Sequence, residues 1–358
     1  MRHDIQSGRR PAGRRKQQGV ALIIALILVA LATILATKLS FDGWLERRRT
    51  LGVLASEQAV HFGLGAEALA ADALTQSPNN QQVTLNQPWA QPTQPLPLTS
   101  PDDPEGEPIG SLQGALEDMQ GRFNLNNLAK PAQAQNGPGG AGNLIGAAGT
   151  QFDQQTFEQF QRLLVSVGLE PKWAGIARDW ITATDIPSSP DGAKDSIYTS
   201  QTPPYRTGMY PMMSASELMN MPGFGADRYR KIAPYVTALP GFTKINVCTA
   251  PALVLESLAK NLNGEWSRNA DLLVSERKTS CFPLFTPTFS NIVQGADPTA
   301  FKTIGTYVGE TSIYFRLTTR VNLGTTEFTL YSLLKSGGGA GAGGGGKVTP
   351  LLRTFGTP

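Results

Sequence analysis

With 358 residues, 40% of them hydrophobic and 16% charged, the chain can bury a substantial core and has the length of about two folding units. Its formal charge of +3 is concentrated at the start, where Arg2, Arg9, Arg10, Arg14, Arg15 and Lys16 face only Asp4; the remainder is slightly acidic and lacks the basic footprint of a nucleic-acid-binding body. Two cysteines, Cys248 and Cys281, are too few for a thiolate zinc site, and with His3 in the basic arm any histidine-based catalysis rests on His61 alone.

From Val20 to Thr37 the sequence reads VALIIALILVALATILAT, uncharged until Lys38. That is about the ~18 residues a helix needs to cross hydrocarbon. The basic arm before it predicts a cytoplasmic N-terminus, with everything after Lys38 on the other side, although Arg47, Arg48 and Arg49 pull the opposite way. A cleaved secretory signal is the competing reading, but the apolar stretch exceeds the usual ~7–15 residues and no small-x-small site ends it. Helix is expected to continue from Leu39 to Leu74, with Trp44, Leu51, Leu54, Val60, Leu64, Ala68 and Leu74 on one face. Glu46, Arg47, Glu57, Glu67 and Asp72 are assigned to the others.

Residues 76–108, rich in Pro, Gln, Asn and Thr, predict connecting structure. Ile109 to Leu128 sets Gly110, Gly114 and Gly121 between apolar positions, and the glycine- and alanine-rich run 131–150 predicts a loop. Asp153 is positioned to cap a helix carrying Phe157, Phe160, Leu163, Leu164 and Val167. Pro171 opens another with Trp173, Ile176, Ala177 and Trp180. Ser214 and Glu217 form a capping-box pair, and further helices are expected from about Ala226 to Pro234 and from Thr249 to Leu262. The period then changes to two: Ile313, Phe315 and Leu317 alternate with polar residues, Asn322-Leu323-Gly324 turns the chain, and Phe328 and Leu330 resume, predicting a hairpin with a last strand near 348–355. Cys248 and Cys281 form either one disulfide or two buried thiols.

Two motifs invite other functions. Glu217 to Gly225 followed by a helix resembles a helix-hairpin-helix, with Arg228, Arg230 and Lys231 available for phosphate, but the near-neutral body offers little of the charge that drives such binding. Gly341 to Lys347, GAGGGGK, approaches a P-loop, yet Val348 replaces Ser or Thr and Pro350 blocks the helix that should face a phosphate.

The junction Lys16-Gln17-Gln18-Gly19-Val20-Ala21-Leu22-Ile23-Ile24 resembles a type IV prepilin leader, and Gly121-Arg122-Phe123-Asn124-Leu125-Asn126-Asn127-Leu128 resembles a run of the K-type minor pseudopilins. Over essentially the whole chain the sequence is similar to that family, the general secretion pathway protein K of type II secretion systems. The resemblance implies cleavage after Gly19 and methylation of Val20. It also accounts for Ile24 at the fifth mature position, where most pilins carry a glutamate that pairs with a neighbouring amine. The implied fold is α+β: a pseudopilin fold with a long N-terminal transmembrane helix, an antiparallel sheet and a large inserted α-helical subdomain. Its expected divisions are a leader at 1–19, helix at 20–75 with 20–38 in the membrane, a first α/β segment at 76–128, the helical insertion at 129–290 and terminal strands at 291–358.

The implied role is non-enzymatic, at the tip of a periplasmic pseudopilus, in a single-pass protein of the bacterial inner membrane with its C-terminal domain in the periplasm. Expected partners are other minor pseudopilins, the major pseudopilin, prepilin peptidase, the inner-membrane secretion platform and the lipid bilayer, with no nucleic acid. A type IV pilus minor pilin and a membrane-anchored DNA receptor are the alternatives. The family is associated with calcium held by acidic segments, to which Asp179-Trp180-Ile181-Thr182-Ala183-Thr184-Asp185 and Gly192-Ala193-Lys194-Asp195 with Tyr198 are similar. Thr182, Thr184 and Lys194 stand where carboxylates are usual. Asp179, Asp185 and Asp195 thus remain calcium candidates, but no metal or other cofactor is expected there, and Lys194 is expected to pair with Asp185 or Asp195 in place of an ion.

Overall fold

The computed structural model describes residues 18–76, 82–91, 93–100, 102–130, 152–258, 274, 277, 281, 306–324, 326–337 and 347–356. Its helices are α1 (Gln18–Gln76), α2 (Gln154–Ser166), α3 (Trp173–Ile181), α4 (Asp195–Tyr198), α5 (Gly225–Ile232) and α6 (Ala252–Ser257). Its strands are β1 (Leu96–Leu98), β2 (Gly110–Asp118), β3 (Phe123–Asn124), β4 (Val236–Thr237), β5 (Ile245–Asn246), β6 (Val308–Gly309), β7 (Tyr314–Leu323), β8 (Thr326–Lys335) and β9 (Thr349–Phe355). The chain divides into two compact units, Met1–Gln58 and Ala59–Pro358, so the C-terminal part of α1 belongs with everything that follows it.

Five strands form one antiparallel sheet in the order β1-β2-β7-β8-β9. The predicted hairpin is β7 and β8, joined near Gly324, whose φ of +56° suits glycine. β2 pairs with β7 residue for residue from Gly110↔Leu323 to Asp118↔Phe315, although the whole helical region lies between them in sequence. β9 begins with Thr349 and carries Pro350, which an edge strand tolerates because its missing N–H is not needed by a further neighbour.

Alternation on β7 buries Phe315, Leu317, Val321 and Leu323, and α1 packs on this face. The packed side of α1 is Ala59, Gly63, Ala66, Glu67, Ala70 and Leu74, spaced as one helical stripe. This corrects the expected face: Leu51, Leu54 and Leu64 are exposed, and Glu67, assigned to the polar side, is buried. Small residues decide the matter, because they let the helix approach the sheet closely. A Cβ on Gly63 would already lie 3.2 Å from Leu330 Cδ2.

Glu67 is accommodated by partners. Arg353 of β9 donates from Nε and Nη2 to its two oxygens at 2.8 and 2.7 Å, and the buried Ser332 hydroxyl donates at 2.7 Å. The Arg353 hydrogen bonds hold the Glu67 carboxyl below its usual 4.5. Because the folded value is depressed, this pair's stabilisation is complete above about pH 4.5 and fades as pH falls through the folded value. Arg353 is partly exposed, so screening limits the gain. Glu67→Gln should lower stability by about 1–2 kcal/mol at pH 7 and flatten the acid limb below pH 4.5, as measured by urea melts of the full chain in detergent. An unchanged acid limb would remove this pair as a determinant.

The second core is helical. Phe123, Leu125 and Leu128 pack with Phe160, Leu163 and Leu164 of α2, Trp173 and Trp180 around α3, and Leu255 of α6. Asp153 caps α2 by accepting from Gln155 and Thr156, and Ser214 and Glu217 form the predicted capping box, on a 3-10 turn at Ala215–Asn220. α6 begins at Ala252, three residues later than predicted. Pro251 precedes its first turn, and the Thr249 hydroxyl is instead spent on Asp118 at 2.6 Å. The run 131–150 lies outside the described residues, as does most of the glycine stretch before Lys347.

Candidate functional site

Three groups of residues bear on function. The first is the leader junction. Gly19, Val20 and Ile24 lie in α1, whose side chains from Val20 to Leu39 are exposed and almost all apolar. After Asp4 the first carboxylate is Asp42, so Ile24 has no acidic substitute nearby in sequence.

The second is the asparagine run that leaves β2. Asn126 donates from Nδ2 to Met212 O and Leu239 O, both at 2.9 Å, and accepts from Met212 N at 2.7 Å. Asn124 donates to Gly241 O at 3.0 Å and accepts from Leu239 N at 3.0 Å, while Asn127 donates to Thr243 O at 2.8 Å and accepts from Thr243 N at 3.0 Å. Side-chain amides carry both donors and acceptors on one rigid group, which suits them to replace missing backbone partners in loops. The run therefore stitches the loops at 211–213 and 239–243 to β3 and the turn that follows it. Asp118, at the end of β2, works in the same way: it is buried and accepts from Gln120 N, Asn246, Thr249 and Ser312. Burial nevertheless pushes its carboxyl up. Sequence reasoning singled out the asparagines as a family-like run without assigning them this task, and it missed Asp118, for which a lone Asp ending a strand gives no signal.

The third is the acidic loop. Asp179 on α3 is fully buried, Asp185 is exposed, and Asp195 accepts from Thr207 N at 3.0 Å and Thr207 Oγ1 at 2.7 Å. These hydrogen bonds hold the Asp195 carboxyl below its usual range. Lys194 is buried and does not pair with Asp185 or Asp195 as expected. Its Nζ donates to Asp179 O at 2.8 Å, Thr182 O at 2.9 Å and Thr182 Oγ1 at 3.0 Å, with Asp179 Oδ1 at 3.9 Å. The reason is the end of α3: its last carbonyls have no helical partners and carry the negative end of the helix dipole, so they attract an ammonium. Burial pushes the Asp179 carboxyl up and the Lys194 ammonium down, each opposed by the attraction between them. Asp179 O, Thr182 O and Thr182 Oγ1 are thus taken by Lys194 Nζ, Asp185 and Asp195 do not converge on them, and Thr182 contributes no carboxylate. The residues present do not fit a calcium ion here.

The hairpin-like turn at residues 217–225 is also self-contained. Gly223 and Gly225 take positive φ, but Arg228 folds back to donate to Gly223 O and Phe224 O, and Arg230 pairs with Asp227. Arg228 is therefore folded back on the turn, while Arg230, paired with Asp227, and Lys231 are exposed. Cys248 and Cys281 are bonded to each other inside the helical core, with Cα atoms 5.4 Å apart.

Residues 121–241 match a family model described as type II secretion system protein K. That span begins at the asparagine run and takes in the acidic loop and the glycine turn. Type II secretion system protein K of Pseudomonas aeruginosa is 29% identical over 96% of this chain and 94% of its own length. The Klebsiella pneumoniae protein of the same description is 32% identical over 65% of this chain and 67% of its own. Among solved structures, a chain of the GspK-GspI-GspJ complex from the enterotoxigenic Escherichia coli type 2 secretion system superposes with a TM-score of 0.69 at 24% identity, covering 87% of this chain and all of that one.

Proposed function

The chain belongs to the type II secretion system protein K family, and from that premise we propose that it is a non-enzymatic minor pseudopilin that initiates or caps the tip of a periplasmic pseudopilus and so supports export of folded proteins across the outer membrane. The observation that carries the reading is similarity along nearly the whole chain, from the apolar helix to the last strand. Its buried polar groups support a scaffold role, because Asp118, Asn124, Asn126 and Asn127 are spent on holding loops together.

The exposed apolar half of α1 anchors the protein in the inner membrane, and the basic arm keeps the N-terminus cytoplasmic. The GspK-GspI-GspJ complex suggests two other minor pseudopilins as partners, alongside the major pseudopilin, the secretion platform and a prepilin peptidase acting after Gly19. Ile24 supports the tip assignment: a subunit with none above it has no neighbouring amine to neutralise a carboxylate in lipid.

Co-expression with a prepilin peptidase, followed by mass spectrometry of the N-terminus, tests this function. The expected product begins at N-methylated Val20, and Gly19→Val should leave the leader in place. An intact leader in the unmodified sequence, or cleavage near Ala36, would sink the pseudopilin reading.

A further inference from the structure

We propose that Lys194 is a tethered cation: its ammonium permanently fills an oxygen cage at the end of α3, so that the 182–194 loop is ordered without a dissolved metal ion, and removing the side chain opens a cation site. The ammonium has three N–H donors, and three oxygens receive them within 2.8–3.0 Å: Asp179 O, Thr182 O and Thr182 Oγ1. These are ammonium hydrogen-bond lengths, longer than the ~2.3–2.6 Å of calcium ligation. A fourth oxygen, Asp179 Oδ1, lies 3.9 Å away and also accepts from Ser188 N at 2.9 Å.

Asp179 has no exposure, and its Oδ2 has no hydrogen-bond partner among the described residues. A nearby positive charge stabilises such a carboxylate against the cost of burial. Lys194 supplies it from inside the protein, and Gly192 makes room for the carboxylate, since a Cβ there would lie 2.0 Å from Asp179 Oδ2. The other charges nearby are turned elsewhere: Asp185 and Asp191 are exposed, Asp195 is committed to Thr207 with Arg206 nearby, and Arg178 donates to Ser188 Oγ and Ser188 O. A plain helix-capping lysine would need only the carbonyls. The buried, half-partnered carboxylate is what distinguishes this cage, because it adds a group that a cation stabilises.

Thermal unfolding of the full-length chain in detergent tests the proposal, with calcium chloride or chelator as the only addition. The unaltered chain should melt at the same temperature in both. Lys194→Ala should melt lower in chelator, by on the order of 5 °C, and recover at least half of that loss in millimolar calcium. Lys194→Met, whose stem still fills the space, should melt lower and recover nothing. If Asp179→Asn is combined with Lys194→Ala, the calcium response should disappear. A calcium-dependent rise in the unaltered chain that is abolished by Asp185→Ala would overturn the proposal, as would a Lys194→Ala chain that folds but ignores calcium. Should Lys194→Ala fail to fold, the unaltered chain in calcium and chelator still decides whether the loop is independent of metal. None of these outcomes depends on pseudopilus assembly.

Discussion

Replacing Cys248 and Cys281 by serine should lower the melting temperature of the full-length chain by on the order of 5 °C. The bond joins residues 33 apart in sequence. In the chain-entropy view, closing a loop of that size removes freedom from the unfolded chain equivalent to roughly 3–4 kcal/mol. For a chain of this size each kcal/mol is roughly 1.5 °C, since the unfolding entropy grows with length. Both sulfurs are buried in the helical core, beside Val247 and Ala250, so serine hydroxyls there also lose water without gaining a designed partner. Calorimetry with and without a phosphine reductant provides the check. Reductant should shift the unaltered chain towards the double-serine variant and leave that variant unmoved. Equal melting of the oxidised and reduced chains would mean that the bond does not constrain the unfolded state. Such a bond also belongs in an oxidising compartment, which supports the periplasmic placement proposed for the head.

The features legible in the sequence are those whose physics is local. The apolar run and its helical continuation, the cap at Asp153, the Ser214 and Glu217 box and the β7–β8 hairpin each depend on residues a few positions apart, and each is seen where its pattern lies. The less legible features depend on distant partners. The buried face of α1 could not be chosen from periodicity, because its determinants are small residues that admit a sheet and a glutamate whose arginine sits 286 positions away. The pairing of β2 with β7 is set across the entire helical region, and β2 on its own reads only as glycines between apolar residues.

The acidic loop shows the same division. Charge complementarity predicted a partner for Lys194 and named the wrong one, because sequence proximity favoured Asp185 and Asp195. Asp185 stays in water, where a salt bridge gains little, whereas the end of α3 offers buried carbonyls and the buried Asp179. Burial decides the pairing, and burial is what a single sequence shows least directly.

The asparagine run yields the sharpest chemical prediction, since its value lies in having donors and acceptors in the right order. Asn126→Ala should cost about 2–4 kcal/mol, because it strands Met212 N and Met212 O in an interior that water does not reach and leaves Leu239 O only the longer bond from Asn124 at 3.4 Å. Asn126→Asp keeps the size and still offers an acceptor to Met212 N, yet it should be worse than alanine. The atom that donated to two carbonyls becomes an oxygen facing them, and the carboxylate must be desolvated or protonated at further cost. Urea unfolding of the full-length chain in detergent, followed through Trp173 and Trp180 in the helical core, ranks the three chains directly. An aspartate variant as stable as the alanine one would show that the amide's donors contribute nothing. The predicted order would instead establish that Met212 and Leu239 are held to the turn after β3 by the polarity of the Asn126 amide, and not by its size alone.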